Sequence, residues 1–350
     1  MRPYLILIAV ISFAPAVRSD EPAKAESLTA KEIADGWILL FDGETTFGWT
    51  IEGEAMVEDG ALILGGTKAT KAVTAASLDW EHAYSIEMET RWEGTASPTF
   101  LLLGATVGLP DTAKTKFVKQ AVSEENPSRR SAQQVYEVPA GSKLFLRNIK
   151  YRPRGLQPLF NGKDLVGWKQ FTDDPKRAKS KFTVTKEGWL NVTDGPGDLQ
   201  TEKQFDDFVL QLHCISNGKN LNSGVFFRCL PGQYQNGYEA QIQNGYKNND
   251  RTKPTDYGTG AIYRRQPARK VVSNDHEWFT MTVIAHGNHM ATWVNGYQVT
   301  DFTDKRPADD NPRNGSKTGK GAISIQGHDP TTNLSFRNIR IAELPKPNKN

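Results

Sequence analysis

The sequence predicts an all-β chain of two tandem β-sandwiches, and three observations carry that prediction. One phrase is written twice: Leu40-Phe41-Asp42-Gly43 with Gly48-Trp49, and Leu159-Phe160-Asn161-Gly162 with Gly167-Trp168. Each copy opens a segment that closes on a second shared phrase, Phe145-Leu146-Arg147-Asn148-Ile149 in one and Phe336-Arg337-Asn338-Ile339 in the other. Apolar residues recur at period two in short runs bounded by Gly or Asp, with almost no helical periodicity. Composition agrees, since aromatics make up 10% of the chain and 30 Gly and 19 Pro suit short strands and tight turns. At 350 residues two domains are expected, each long enough to bury its own core.

The elements follow in order. Arg2, an apolar run over residues 4–17 broken by Pro15, and the small or polar end Val17-Arg18-Ser19 have the layout of a secretory signal peptide over residues 1–19, with Ala16 as a competing cleavage point. The chain is therefore expected to be exported, periplasmic or extracellular, with an uncleaved N-terminal anchor as the alternative. That run is shorter than the roughly 20 apolar residues a membrane span needs, and no other stretch comes close, so no transmembrane helix is expected in the mature chain. Residues 20–33 form a polar lead-in with room for one helical turn. The first unit, 34–152, has strand patterns at 61–64, 84–89, 99–103 and 143–149. Residues 111–134 are charged and Ser-bearing, read as a loop or short helix, and residues 151–155 read as a linker. The second unit, 156–344, repeats the scheme at greater length, with strands near 182–192, 207–215, 224–230, 237–243, 260–264, 278–286, 289–295, 298–302, 320–326 and 334–342. Matching phrases at both ends of each unit place its first and last strands side by side. Trp49 and Trp168 each follow a Gly turn and are expected to pack inward.

Several chemistries are excluded or left open. The net charge of +3 comes from 43 basic and 40 acidic residues mixed along the chain, so no basic stripe points to nucleic acid. Cys214 and Cys229 are the two cysteines; in an exported chain they form either a disulfide or two buried thiols, and no Cys-x-x-Cys pair offers a zinc or redox site. His286 and His289 span a hairpin turn where both rings are expected to be exposed. The run Gly315-Ser316-Lys317-Thr318-Gly319-Lys320-Gly321 has the wrong spacing for a phosphate loop and reads as a solvated loop.

Strand alternation sorts the second unit into faces. In Tyr238-Glu239-Ala240-Gln241-Ile242-Gln243 the apolar residues take one face and Glu239, Gln241 and Gln243 the other. Phe226, Arg228 and Leu230 share a face of their strand; Ser324, Gln326 and His328 share one later in the unit; Ala261, Tyr263 and Arg265 share another. Asn222-Ser223-Gly224 forms the turn before the Arg228 strand. Amides, a guanidinium and aromatic edges suit the paired donors and acceptors of sugar hydroxyls, so the reading is a polyol-binding face, against an ordinary solvated sheet face as the alternative. The first unit carries only Thr99-Phe100-Leu101-Leu102-Leu103 where the Arg228 strand would stand, so any activity is expected in 156–344.

The phrases at 159–168, Asn222-Ser223-Gly224-Val225-Phe226-Phe227-Arg228, Tyr238-Glu239-Ala240-Gln241-Ile242, Gly260-Ala261-Ile262-Tyr263, Trp293-Val294-Asn295-Gly296, Ile325-Gln326-Gly327-His328 and Phe336-Arg337-Asn338-Ile339 together resemble the 3-keto-disaccharide hydrolase family. The resemblance covers the whole second unit in order, while the first unit is similar only through its opening and closing phrases. It implies a concanavalin A-like jelly roll in each unit and a reaction on glycosides whose ring C3 is already a ketone. A base removes the acidified C2 proton, the C1 substituent leaves, and water adds to the unsaturated sugar. Carried onto this chain, the resemblance gives Glu239 as base or cation ligand, Arg228 as stabiliser of the enolate and hydroxyls, and His328 as acid/base. Asn222, Gln241, Gln243, Tyr263 and Gln326 would orient the sugar. No cofactor is assigned with certainty. A divalent cation held by Glu239 and His328 is conceivable, although two ligands do not make a metal site.

A carbohydrate-binding lectin without turnover is the competing reading, because the fold class hosts both. A laminarinase-type hydrolase would need a Glu-x-Asp-x-x-Glu run, and Glu87-Met88-Glu89, the nearest sequence, lacks the third acid. The expected partner is a glycoside or oligosaccharide, with loops 170–181 and 244–258 setting aglycone preference.

Overall fold

A computed structural model describes residues 27–74, 83–102, 105–124 and 133–344; the expected signal segment 1–19 lies outside them. The chain divides into two compact units, Trp37–Gly155 and Leu156–Asn350, with Thr29–Gly36 grouped with the second. Among the described residues no helix is long and apolar enough to cross a membrane.

The second unit is two packed antiparallel sheets. The larger runs Lys181–Val184, Leu190–Thr193, Asn333–Glu343, Phe208–Ser216, Phe279–His286, His289–Val294, Tyr297–Thr303, with Gln157–Pro158 also paired to Asn333–Glu343. The smaller runs Trp168–Gln170, Gly197–Phe205, Gly321–Gly327, Ser223–Cys229, Tyr238–Ile242. Between them lies one apolar core: Leu199, Val225, Phe227, Ala240, Ile323 and Ile325 from the smaller sheet meet Leu210, Leu212, Met281, Val283 and Phe336 from the larger, all at most 1% exposed. Each such Leu, Ile or Phe contributes about 1.5–3 kcal/mol through removal from water. A two-sheet antiparallel sandwich whose first and last strands lie together is the jelly-roll architecture implied for this unit.

A short helix, Ala30–Ala34, belongs with this unit. Thr29 caps it reciprocally with Glu32. The carbonyl of Gly36 then accepts from Gln211 Nε2 at 2.9 Å.

Among the described residues the first unit repeats the strand order of the second up to the hairpin 289–303. Its larger sheet runs Ala55–Glu58, Ala61–Gly65, Ser142–Pro153, Tyr84–Gly94, Val118–Glu124, with Ile38–Leu39 on Ser142–Pro153; its smaller runs Trp49–Glu52, Thr70–Thr74, Val135–Val138, Thr99–Leu102, Ala105–Gly108. Strand for strand this is the order of the second unit, which adds His289–Val294 and Tyr297–Thr303 beyond Phe279–His286. Thr99–Leu102 therefore takes the place that Ser223–Cys229 has in the second unit.

The repeated phrases do the same physical work in both units. Trp49 Nε1 donates to Leu40 O at 2.7 Å and Trp168 Nε1 to Leu159 O at 3.0 Å, each clamping the first turn. Asp42 and Asn161 each accept two backbone N–H groups from the residues just after them. Asn148 and Asn338 hold φ of 53° and 52° inside the long closing strands, where the register slips by a bulge. The opening strand then docks on that same closing strand, with Leu40 N donating to Ile149 O and Leu159 N to Ile339 O.

Four local expectations are corrected. Within 111–134 the chain forms a 3-10 turn, Asp111–Ala113, and the strand Val118–Glu124, because Val118, Gln120 and Val122 turn inward while Lys119 and Ser123 do not. Residues 260–264 form turns carrying isolated bridges from Ile262, with Arg264 at φ 58°. Residues 151–153 are not linker but the end of Ser142–Pro153, where buried Tyr151 stacks on Tyr84 at 5.6 Å. The His286–His289 hairpin does not leave both rings in water, since His289 is buried with Nε2 2.6 Å from Asp301 Oδ1. Cys214 and Cys229 are buried free thiols on opposite sheets of the second unit.

Candidate functional site

The outer face of the smaller sheet in the second unit carries the polar constellation. Register fixes two cross-strand rows. Gln241 stands opposite Gly224, and Gln326 opposite Asp198; in the next row Glu239 stands opposite Phe226, Phe226 opposite Ser324, and Ser324 opposite Gln200. The alternate residues Ala240, Val225, Ile325 and Leu199 fill the core, so these polar groups face away from it.

Glu239 is the centre of this face. Gly224 has no side chain, and a methyl there would collide with the Glu239 carboxyl, so the carboxyl lies over the bare backbone of the neighbouring strand. It is 7% exposed, and among the described residues nothing hydrogen-bonds its carboxyl oxygens. Burial pushes its pKa up to about 8, against the opposing pull of Arg313 and with further upward pressure from Asp256 and Asp198. A cavity of about 190 Å³ opens at this residue, walled by Glu239, Tyr263, Arg264, Arg265, Pro312 and Arg313.

The flanking amides are held by one end each. Gln241 Nε2 donates to the backbone O and to Oδ2 of Asp256, both at 3.0 Å, and Asn222 Nδ2 donates to the same Asp256 Oδ2 at 2.6 Å. Among the described residues Gln241 Oε1 and Gln326 Oε1 are buried without hydrogen-bond partners. Two unmatched amide acceptors on one face are costly to a fold, and a ligand bearing hydroxyl donors would relieve that cost. Asp198 is fully buried, its pKa pushed up to about 7 by burial against the N–H of Gln235, which donates to its Oδ2 at 2.8 Å.

Of the residues singled out in the sequence, Glu239, Gln241, Gln326, Asn222 and Tyr263 are brought to this face or to the wall of its cavity. Tyr263 joins through its backbone N–H, which donates to Glu239 O at 2.9 Å, and its ring meets Tyr257 edge-on at 5.1 Å.

Arg228 does not reach the face. Its φ of 52° marks a bulge, the register slips between Phe226 and Cys229, and those two residues pack together on one side. Simple alternation therefore fails at Arg228. Its fully buried guanidinium pairs with Asp207 at 2.8 Å and donates to the carbonyls of Asp206, Gly287 and Lys317, tying three segments together. Gln243 is likewise structural, its Oε1 accepting from Gly245 N at 2.6 Å and Thr255 Oγ1 at 2.9 Å. His328 ends the row beyond Gln326 with its side chain 41% exposed and Nδ1 2.8 Å from Asp329 Oδ2, outside the walls of the Glu239 cavity. Among the described residues no three His, Cys, Asp or Glu side chains are grouped to hold a metal ion.

The 3-keto-alpha-glucoside-1,2-lyase-like domain matches residues 155–342, the span that contains this face. The chain belongs to that family. Among solved structures it is similar to a candidate glycosyl hydrolase from Parabacteroides distasonis at 23% identity and TM-score 0.43, over 55% of this chain and 94% of that one. A second candidate glycosyl hydrolase from the same organism gives 26%, TM-score 0.40, 55% and 85%. A carbohydrate-binding module from Bacillus subtilis gives 16%, TM-score 0.36, 51% and 96%. No curated protein matches the chain.

Asp198 and Arg313 were not singled out in the sequence. Asp198 sits on the unforeseen strand Gly197–Phe205, where Asp198 and Gln200 alternate with buried Leu199, a signal that was there to be read. Arg313 lies in an irregular loop and has no sequence signal at all.

Proposed function

We propose that the second unit cleaves glycosides already oxidised to a ketone at ring C3, by elimination and hydration. The observation that carries this reading is the Glu239 carboxyl, buried and unpartnered, at a cavity walled by three arginines, Arg264, Arg265 and Arg313. In its ionised form Glu239 takes the C2 proton, and the electron pair left behind delocalises onto the C3 oxygen as an enolate. Arg313 and Arg264 lie on the same cavity wall and supply the positive charge that stabilises it. Collapse of the enolate expels the C1 oxygen, which the Tyr263 hydroxyl protonates, leaving a C1=C2 double bond conjugated to the ketone. Glu239 then exchanges its proton with solvent and delivers one to C2, while water adds its oxygen to C1 and gives its proton to the Tyr263 oxygen, so both side chains are restored and the net change is hydrolysis. Gln241 and Gln326 accept hydrogen bonds from ring hydroxyls through their unmatched oxygens.

The reading includes export of the chain, which rests on the N-terminal signal pattern alone. The test is incubation with 3-keto-trehalose and with methyl 3-keto-α-glucoside. Release of 3-ketoglucose, lost in Glu239→Gln and reduced on the order of 10²-fold in Arg313→Ala, is expected. Binding of both sugars without release would favour the lectin reading, and full turnover in Glu239→Gln would remove this carboxyl from the mechanism.

A further inference from the structure

Arg313 reaches the Glu239 cavity from the loop 304–316, which lies between the strands Tyr297–Thr303 and Gly321–Gly327 and contains no strand of its own. Something other than a sheet must therefore fix its guanidinium. The base of the loop is zipped: Asp309 N donates to Ser316 O at 3.0 Å and Ser316 N to Pro307 O at 2.8 Å. Gly315 packs so tightly on that base that a methyl there would come within 2.3 Å of Pro307 O and 2.6 Å of Asp309 Cβ.

We infer that Arg306 is the positioning residue for Arg313, closing the loop around its own guanidinium so that Arg313 stands at the cavity wall; the inference rests on the proposed reaction at Glu239. Arg306 is not itself among the walls of that cavity, so it acts through Arg313. One edge of its fork grips Asp304, Nε donating to Oδ1 at 2.9 Å and Nη2 to Oδ2 at 2.7 Å. Asp304 is fixed in turn, being 1% exposed and accepting from the Tyr238 hydroxyl at 2.7 Å. The rest of the fork turns to backbone: Nη2 donates to Pro312 O at 2.8 Å and to Gly315 O at 2.7 Å, and Nη1 to Arg313 O at 3.3 Å. A single planar cation thus holds the chain on both sides of Arg313. A lysine keeps the charge beside Asp304 but has no such fork.

The side chain of Arg313 is anchored separately. Its Nε donates to Gln235 O at 2.5 Å, and Gln235 N donates to Asp198 Oδ2 at 2.8 Å, so a chain of hydrogen bonds runs from the polar sheet face to Arg313. Arg265 adds a bond to Arg313 O at 2.9 Å. With backbone and side chain both held, Arg313 meets the charge forming on the C3 oxygen without rearranging at the moment of reaction.

The experiment compares the full chain with Arg306→Lys, Arg313→Ala and the double variant through two readouts. One is kcat for 3-keto-trehalose; the other is the titration midpoint of the Glu239 carboxyl by 13C NMR, its signal identified by its loss in Glu239→Gln. Arg313 pulls that midpoint down in the wild type, so displacing Arg313 raises it. Arg306→Lys should lower kcat on the order of 10²-fold, as Arg313→Ala does, and raise the midpoint by the same amount. Combined with Arg313→Ala it should cost less than about a further twofold in kcat. A folded Arg306→Lys that keeps the wild-type value in either readout overturns the inference, as do effects that multiply in the double variant. Gly315→Ala opens the loop without altering Arg306 and should move both readouts in the same directions; it decides the matter if Arg306→Lys does not fold, and unchanged readouts in it overturn the inference. If the wild type turns over no 3-keto-sugar, the proposed reaction fails on its own and the midpoint alone decides. A rise shared by Arg306→Lys and Arg313→Ala supports the positioning role, and a midpoint that Arg306→Lys leaves in place overturns it.

Discussion

Replacing Glu239 by Gln should change how the stability of the second unit depends on pH. In the unfolded chain this carboxyl titrates near its ordinary value of 4.5, whereas burial raises it to about 8 in the fold. A carboxyl raised in this way stabilises the fold fully below the lower value, and that contribution is lost as pH rises through the higher one. At about 1.36 kcal/mol for each pH unit between the two, the wild type forfeits up to about 5 kcal/mol between pH 4.5 and pH 8 through this group. The amide of Glu239→Gln does not titrate, so the variant escapes that loss and should become the more stable protein on the alkaline side. Asp198, raised to about 7 by its own burial, stays in both proteins, and because its charge also bears on Glu239 it cancels only in part. Urea unfolding followed by fluorescence at pH 5, 7 and 9 gives the measurement, with the wild-type curve subtracted from that of the variant at each pH. A stability difference that grows in favour of Gln from pH 5 to pH 9 is expected. A difference that stays constant would show that the carboxyl is solvated, and the argument from its burial would fail.

Four further outcomes are expected. Because the proposed base must be ionised, kcat/KM should rise with pH up to about 8 and then level; a falling limb there would recast Glu239 as the acid. Arg228→Leu should destabilise the second unit by about 3–5 kcal/mol, since it strands buried Asp207, and the companion change Asp207→Asn should restore part of the loss; a stable single variant with lost turnover would return Arg228 to the site. Gly224→Ala should displace the Glu239 side chain, whose Oε1, Cγ and Cδ would all lie within 3.0 Å of the added methyl, and so lower kcat; unchanged kcat would mean that the carboxyl position is unimportant. If the proposed export signal is cleaved, intact mass of the protein should place its first residue at Asp20, and a mass that retains Met1 would refute the signal.

Much of this architecture was legible because it is local. The paired Leu-Phe-Asx-Gly phrases form the same Asx turn and the same indole clamp in each unit, and the Arg-Asn-Ile phrases form the same bulge, so repetition in sequence translates directly into repetition in space. Glu239 and Gln241 were readable by alternation, since Tyr238–Ile242 is a regular strand with no bulge. Arg228 was misread for the converse reason: a single residue at positive φ reverses the parity of everything beyond it, and nothing in Phe226-Phe227-Arg228-Cys229 announces that slip. Gln243 shared the right parity but spends its carboxamide on a loop that folds back after the strand ends. Arg313 reaches the cavity from an irregular loop in which no periodicity exists to read.

The removal of the C2 proton is the step on which the functional account turns. The most direct measurement is cleavage of a 3-keto-glucoside in D2O, with the released 3-ketoglucose analysed by mass spectrometry and proton NMR at early times. Elimination and hydration predict one deuterium at C2 in every product molecule and transient ultraviolet absorbance from the conjugated enone. Product that retains its original C2 hydrogen would contradict the account.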